Sequence, residues 1–93
     1  MYFMSINKFK PGTDRQLINK ALPVHREWVK KQIAAGTIAQ AGKWGDNGGM
    51  IIVRAESREE ADRVVGRDPL AEAGLIAFET AEPHAAVPFT LAR

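Results

Sequence analysis

Apolar and polar positions along the chain repeat with two different periods, and the switches between them mark successive elements. Tyr2 to Phe9 is rich in aromatic and β-favouring residues and ends at Lys10-Pro11-Gly12, a turn signal, so it reads as a first strand. Its alternation sets Tyr2, Met4, Ile6 and Lys8 on one face and Phe3, Ser5, Asn7 and Phe9 on the other. Residues 14 to 35 carry the helical period. Ile18, Leu22, Val29 and Ile33 fall on one side, flanked by Ala21 and Trp28, with Lys20, Arg26, Glu27, Lys30 and Lys31 opposite. Thr13 or Asp14 can cap this helix with a side-chain oxygen, and Gly36 can end it because glycine tolerates positive φ. Pro23 lacks the N–H that would bond the Asn19 carbonyl, which predicts a kink or a second segment starting there, the alternative being a loop and a shorter helix.

Thr37 to Trp44 and Gly49 to Ala55 read as two strands joined by Gly45-Asp46-Asn47-Gly48, strong hairpin chemistry. Met50-Ile51-Ile52-Val53 is the most strand-like run in the chain and belongs near the centre of a sheet. Ser57-Arg58-Glu59-Glu60 is a capping box for a second helix, which offers Ala61, Val64 and Val65 to the core and stops at or before Asp68, because the residue ahead of Pro69 disfavours the α region. A short turn through Ala71-Glu72-Ala73 ends at Gly74, and Leu75 to Ala81 forms the last strand, closed by Pro83. The tail to Arg93 is mixed apolar and could pack on a neighbouring subunit.

The order β-α-β-β-α-β, with right-handed crossovers, gives an α+β, ferredoxin-like fold: a four-stranded antiparallel sheet with both helices on one face. The other face carries apolar residues and needs a cover, most simply its copy in a second subunit, which makes the expected assembly a dimeric α+β barrel.

Composition narrows the function. Ninety-three residues make one domain, 1–93. A net charge of +2, with Lys and Arg scattered, argues against nucleic acid as a partner. The absence of cysteine removes disulfides, thiolate catalysis and thiolate-bound metals. No apolar run approaches a membrane span and no signal peptide is visible, so the expectation is a cytoplasmic protein.

The candidate chemistry centres on His25, which falls inside the apolar stripe of the first helix between Leu22 and Val29. An imidazole there needs a hydrogen-bond partner, either a backbone carbonyl in a structural role or a carboxylate in acid–base chemistry near neutral pH. Asp68, at the end of the second helix, is placed to be that partner, and equally to shape the turn before Pro69. Asp46 reads as a hairpin-turn residue, and His84, beyond Pro83, as a solvated loop residue. No paired His spacing supports a zinc or iron site, and no phosphate loop or dinucleotide fingerprint occurs. Ser5, His25 and Asp68 could assemble a triad, but no nucleophile elbow marks Ser5.

Four stretches in order, Pro23-Val24-His25, Ala35-Gly36-Thr37-Ile38-Ala39-Gln40-Ala41-Gly42, Ala55-Glu56-Ser57-Arg58-Glu59-Glu60-Ala61 and Asp68-Pro69-Leu70-Ala71-Glu72-Ala73-Gly74, together resemble the YCII-related (YciI-like) domain over nearly the whole chain. The resemblance implies the same dimeric barrel and a histidine–aspartate dyad in a cleft by the sheet, which maps by motif onto His25 and Asp68. One branch of that family eliminates hydrogen chloride from a chlorinated hydroxyhydroquinone. The chain departs from the family pattern at Leu22, where an arginine is usual, at Leu70, where an aromatic is usual, and at Lys43, where Ala-Gly is usually followed by proline. These changes leave a less cationic, differently shaped cleft.

The resulting expectation is a lyase or isomerase, needing no cofactor and no metal, that acts on a small cyclic phenolic or lactone-like substrate. His25 would be the acid or base and Asp68 would hold its tautomer, with Ser5 or Asn7 bonding substrate and Trp44 or Phe78 supplying a wall. Two alternatives stand beside it: a non-catalytic small-molecule-binding or oligomerisation module, and a cofactor-free monooxygenase on the same barrel.

Overall fold

The computed structural model describes residues 1–81; the expectations for Pro83, His84 and the tail to Arg93 lie outside the described residues. The elements run β1 (Tyr2–Phe9), α1 (Arg15–Ala35), β2 (Ile38–Lys43), β3 (Gly48–Arg54), α2 (Arg58–Gly66), α3 (Pro69–Glu72) and β4 (Ile76–Ala81). The strands form one sheet in the order β2-β3-β1-β4, every neighbour antiparallel, which is the α+β, ferredoxin-like arrangement. The segment expected as a short turn is the single helical turn α3.

The alternation of β1 decides what the helices cover. Phe3 joins Ile38, Ile51, Val53 and Ala55 under Ala61 and Val65 of α2, with Trp28 of α1 packed alongside. Phe9, at the other end of the strand, packs with Leu70, Leu75 and Ile76 under Ala21 and Leu22 of α1. Both helices therefore sit on the Phe3–Phe9 face, and Tyr2, Met4, Ile6 and Lys8 point to the other. In β2 the register slips between Ile38 and Gln40, so that Ala41 stands opposite Ile51. A bulge of this kind inserts one residue and was not legible in the run Ile38–Lys43.

Helix α1 begins as its sequence dictates. Asp14 Oδ1 accepts from the Gln16 N–H at 2.9 Å, while Thr13 donates its hydroxyl to the Lys10 carbonyl at 2.6 Å. Gly36, at φ 82, ends the helix in the left-handed region. The helix continues through Pro23, so the loop and shorter helix expected as an alternative do not form. Pro23 and Asn19 are exposed, and on that side the carbonyl deprived of its N–H partner faces water. The predicted apolar stripe is covered only in part: Ile18 is buried, but Ile33 is 46% exposed. The 21 residues of α1 span about 31 Å, whereas an eight-residue strand spans about 26 Å, so the helix is longer than the sheet beneath it. At α2 the Glu60 N–H donates to Ser57 Oγ at 3.1 Å, but Glu60 Oε2 accepts from Glu56, one residue before the expected Ser57 donor.

Candidate active site

His25 stands mid-way along α1, and Asp68 occupies the joint between α2 and α3. Two local rules place the aspartate. The residue ahead of Pro69 is held extended, at φ −55 and ψ 129, and an aspartate there caps the turn that the proline starts. Asp68 Oδ1 accepts the Leu70 N–H at 2.9 Å, and the same oxygen meets His25 Nδ1 at 2.7 Å. The two readings of Asp68 left open by spacing, turn-former and imidazole partner, thus coexist on one atom.

This contact fixes the imidazole's chemistry. A carboxylate oxygen at that distance accepts, so Nδ1 carries the proton and the neutral ring keeps its lone pair on Nε2. Asp68 is fully buried, while the His25 side chain retains 20% of its surface. One ring nitrogen is thereby pinned from inside, and the ring still reaches solvent. An imidazole held in this way could exchange a proton at Nε2 without reorienting.

Beneath the helices, Ser5, Asn7 and Thr80 are buried polar residues on the covered face of the sheet. Ser5 stands directly opposite Thr80 across β1 and β4, and Asn7 opposite Phe78. Ser5 and Asn7 thus stand on the covered face, as the alternation of β1 predicts, and Phe78 joins them there as the partner of Asn7. Phe78 packs against the apolar cluster around Phe3. Thr80 carries no motif of its own in the sequence. The signal was there, because alternation in β4 sets Ile76, Phe78 and Thr80 on one face, leaving Thr80 as a polar inner residue.

Ser5 Oγ, Thr80 Oγ1 and Asp68 Oδ2 are buried and have no hydrogen-bond partner among the described residues. Such an atom costs on the order of 1–3 kcal/mol if it stays unpaired, so each calls for a partner beyond the described side chains and main chain.

Trp44 lies elsewhere. It is 45% exposed beside the β2–β3 hairpin and lines a hollow of about 750 Å³ with Met4, Ile6 and Lys8 of the opposite face and with Phe78, Glu79 and Thr80 of β4. Neither His25 nor Asp68 lines that hollow, so within one chain Trp44 is not brought to the dyad. Asp46 is exposed in the hairpin turn, as its turn chemistry predicts. No group of three or more His, Asp or Glu side chains suited to a metal occurs among the described residues.

Three comparisons bear on this arrangement. The family model of the YCII-related domain matches residues 1–80. Among solved structures, 5-chloro-2-hydroxyhydroquinone dehydrochlorinase from Burkholderia phenoliruptrix, in complex with 2,5-dihydroxybenzoquinone, is similar with a TM-score of 0.71 at 24% identity, over 94% of this chain and 99% of that one. Comparison with curated protein sequences gives no match.

Proposed function

The chain belongs to the YCII-related domain family, and from that premise we propose that it is a cofactor-independent lyase or isomerase acting on a small hydroxylated ring, with His25 and Asp68 as its proton-transfer pair. The observation that carries the reading is the 2.7 Å contact between His25 Nδ1 and a fully buried Asp68 carboxylate, beneath an imidazole that remains partly exposed. The similar solved structure, whose own substrate is a chlorinated hydroxyhydroquinone, supports a phenolic ring as the substrate class.

In this reading Nε2 takes the proton of a ring hydroxyl, and Asp68 holds the imidazolium. The freed electron pair moves into the ring, and a ring carbon takes the proton back from Nε2. Stopping there is an isomerisation, enol to ketone. Where that carbon bears a leaving group, a second ring hydroxyl gives its proton to Nε2, its electron pair closes a carbonyl and the group departs as an anion. The sum is loss of one acid molecule, and no oxidant is consumed. In this reading Asn7 and Ser5 of the covered face would bond ring oxygens, with Phe78 as an apolar neighbour.

The purely structural reading has one observation on its side, since Asp68 also caps α3 through the Leu70 N–H. Asp68→Asn separates the two. Asparagine is as good a cap and keeps an acceptor oxygen, but it cannot stabilise the imidazolium. Halide release or ketone formation should be followed spectroscopically on chlorinated and unchlorinated hydroquinones. His25→Ala and Asp68→Asn should each lower turnover by about 10²–10⁴-fold. Unchanged turnover in both variants would refute the proposal, and oxygen uptake during turnover would favour a monooxygenase.

The opposite face of the sheet is the surface we assign to a second copy of the chain. Met4, Ile6 and Met50 keep part of their apolar surface exposed there, and no helix among the described residues packs over them. Ile6→Glu should convert a dimer to a monomer in sedimentation analysis; a wild-type monomer would refute this assignment. No helix of the described residues is long and apolar enough to cross a membrane.

A further inference from the structure

We infer that Ser5 and Thr80 together form a buried binding site for one oxygen atom, taken either from water or from a hydroxyl or carbonyl of a small ring. The two residues are 0% and 4% exposed, and neither hydroxyl has a hydrogen-bond partner among the described residues. They are direct cross-strand partners on the covered face of the sheet, where paired side chains have Cβ atoms about 4.5–5.5 Å apart. At that separation two hydroxyls can converge on a single atom between them. Each can donate and accept, so the pair suits an oxygen of either kind and rejects a methyl group.

Neither hydroxyl is held by another side chain or by the main chain among the described residues. Ser5 is flanked on its other side by Ile51, its register partner in β3, which is apolar and buried. An apolar pair at these two positions would pack against Ile51 and Phe78 without a desolvation cost. Instead the polar band continues to Asn7, two residues along β1. A third unpartnered atom, Asp68 Oδ2, belongs to the joint between two helices that pack on this same face.

As a ring-oxygen subsite the Ser5–Thr80 pair rests on the proposed function, which gives Ser5 to the substrate; as a hydration site it is independent of that reading. The test is a high-resolution crystal structure of the full chain, free and soaked with 2,5-dihydroxybenzoquinone. The expected result is an ordered oxygen about 2.5–3.0 Å from both hydroxyls. A water there in both crystals makes it an internal hydration site; a ring oxygen in the soaked crystal makes it a ligand subsite. Thr80→Val should fold normally and lose that oxygen, while Thr80→Ser should keep it. With a ring oxygen as occupant, Thr80→Val should also weaken binding of the quinone by about two- to tenfold. Hydroxyls bonded to each other or to main-chain carbonyls, with no oxygen between them, would overturn the inference. Failure of the His25–Asp68 proposal would be read separately, from turnover by His25→Ala, and does not touch this result.

Discussion

The covered face of the sheet has two unlike halves. On the β3 side, Ile51 and Val53 pack with Phe3 and Ile38 beneath Ala61 and Val65, and none of the buried polar residues described stands on β2 or β3. On the β4 side, the same strand β1 presents Ser5 and Asn7 to Thr80 and Phe78, beneath helices that carry His25 and Asp68. Ser5 makes the contrast sharpest, with Ile51 as one register partner and Thr80 as the other. A second apolar cluster, built on Leu70, Leu75 and Ile76, closes the far end. The polar band thus lies between two apolar blocks, which supply the stability that the band spends. A chain of this size buries only roughly 60–65% of its unfolded surface, so buried polarity is costly in it and is confined to the half that holds the dyad.

The comparison is broken most severely at Asp68. Asp68→Asn should lose turnover by about 10²–10⁴-fold, roughly 3–5 kcal/mol of barrier, while thermal unfolding shifts by no more than roughly 1 kcal/mol. A large fall in stability with little change in turnover would place Asp68 in the structural half instead. Ile51→Ala is the opposite experiment. Ile51 is 2% exposed, and truncating it should destabilise the fold by about 2–5 kcal/mol in denaturant titration. The folded fraction should turn over at close to the wild-type rate, because Ile51 belongs to the apolar block.

The two halves were not equally legible in the sequence. The apolar block follows from alternation: once Phe3 faces inward, Ser5, Asn7 and Phe9 must follow, and Met50-Ile51-Ile52-Val53 fits only near the sheet centre. The meeting of His25 and Asp68, 43 residues apart, was made plausible by fold order but fixed only by packing, since periodicity names a face and never a partner. The bulge at Ala39 left no mark, because the residues around it suit a regular strand equally well. Thr80 is inconspicuous for the converse reason, a threonine being ordinary in a strand unless its partner Ser5 stands beside it.

The smallest expected effect concerns Gly49, which reads in the sequence as the start of a strand after a hairpin turn. In the structure it stands opposite Asn7, and a Cβ built on it would lie 3.2 Å from Asn7 Oδ1 and 3.4 Å from the Gly42 carbonyl. Gly49 has no positive φ, so alanine is allowed by the backbone and reduces the freedom of the unfolded chain, a gain of about 0.4–1 kcal/mol. Against that, the Asn7 amide must give way by a few tenths of an ångström. An amide side chain can yield where a backbone carbonyl cannot, and the neighbouring Gly48 is the contrast, since its Cβ would strike the Asn7 carbonyl oxygen itself. Gly49→Ala should therefore change unfolding free energy by less than about 1 kcal/mol, and Gly48→Ala should cost more. If Asn7 bonds the ring, the displaced amide should still raise KM several-fold for Gly49→Ala while leaving kcat nearly unchanged, a loss of binding shared by ground and transition states. Kinetics identical to wild type, with the amide visibly moved in a crystal structure, would remove Asn7 from the binding site and leave the polar band to Ser5, Thr80 and the dyad.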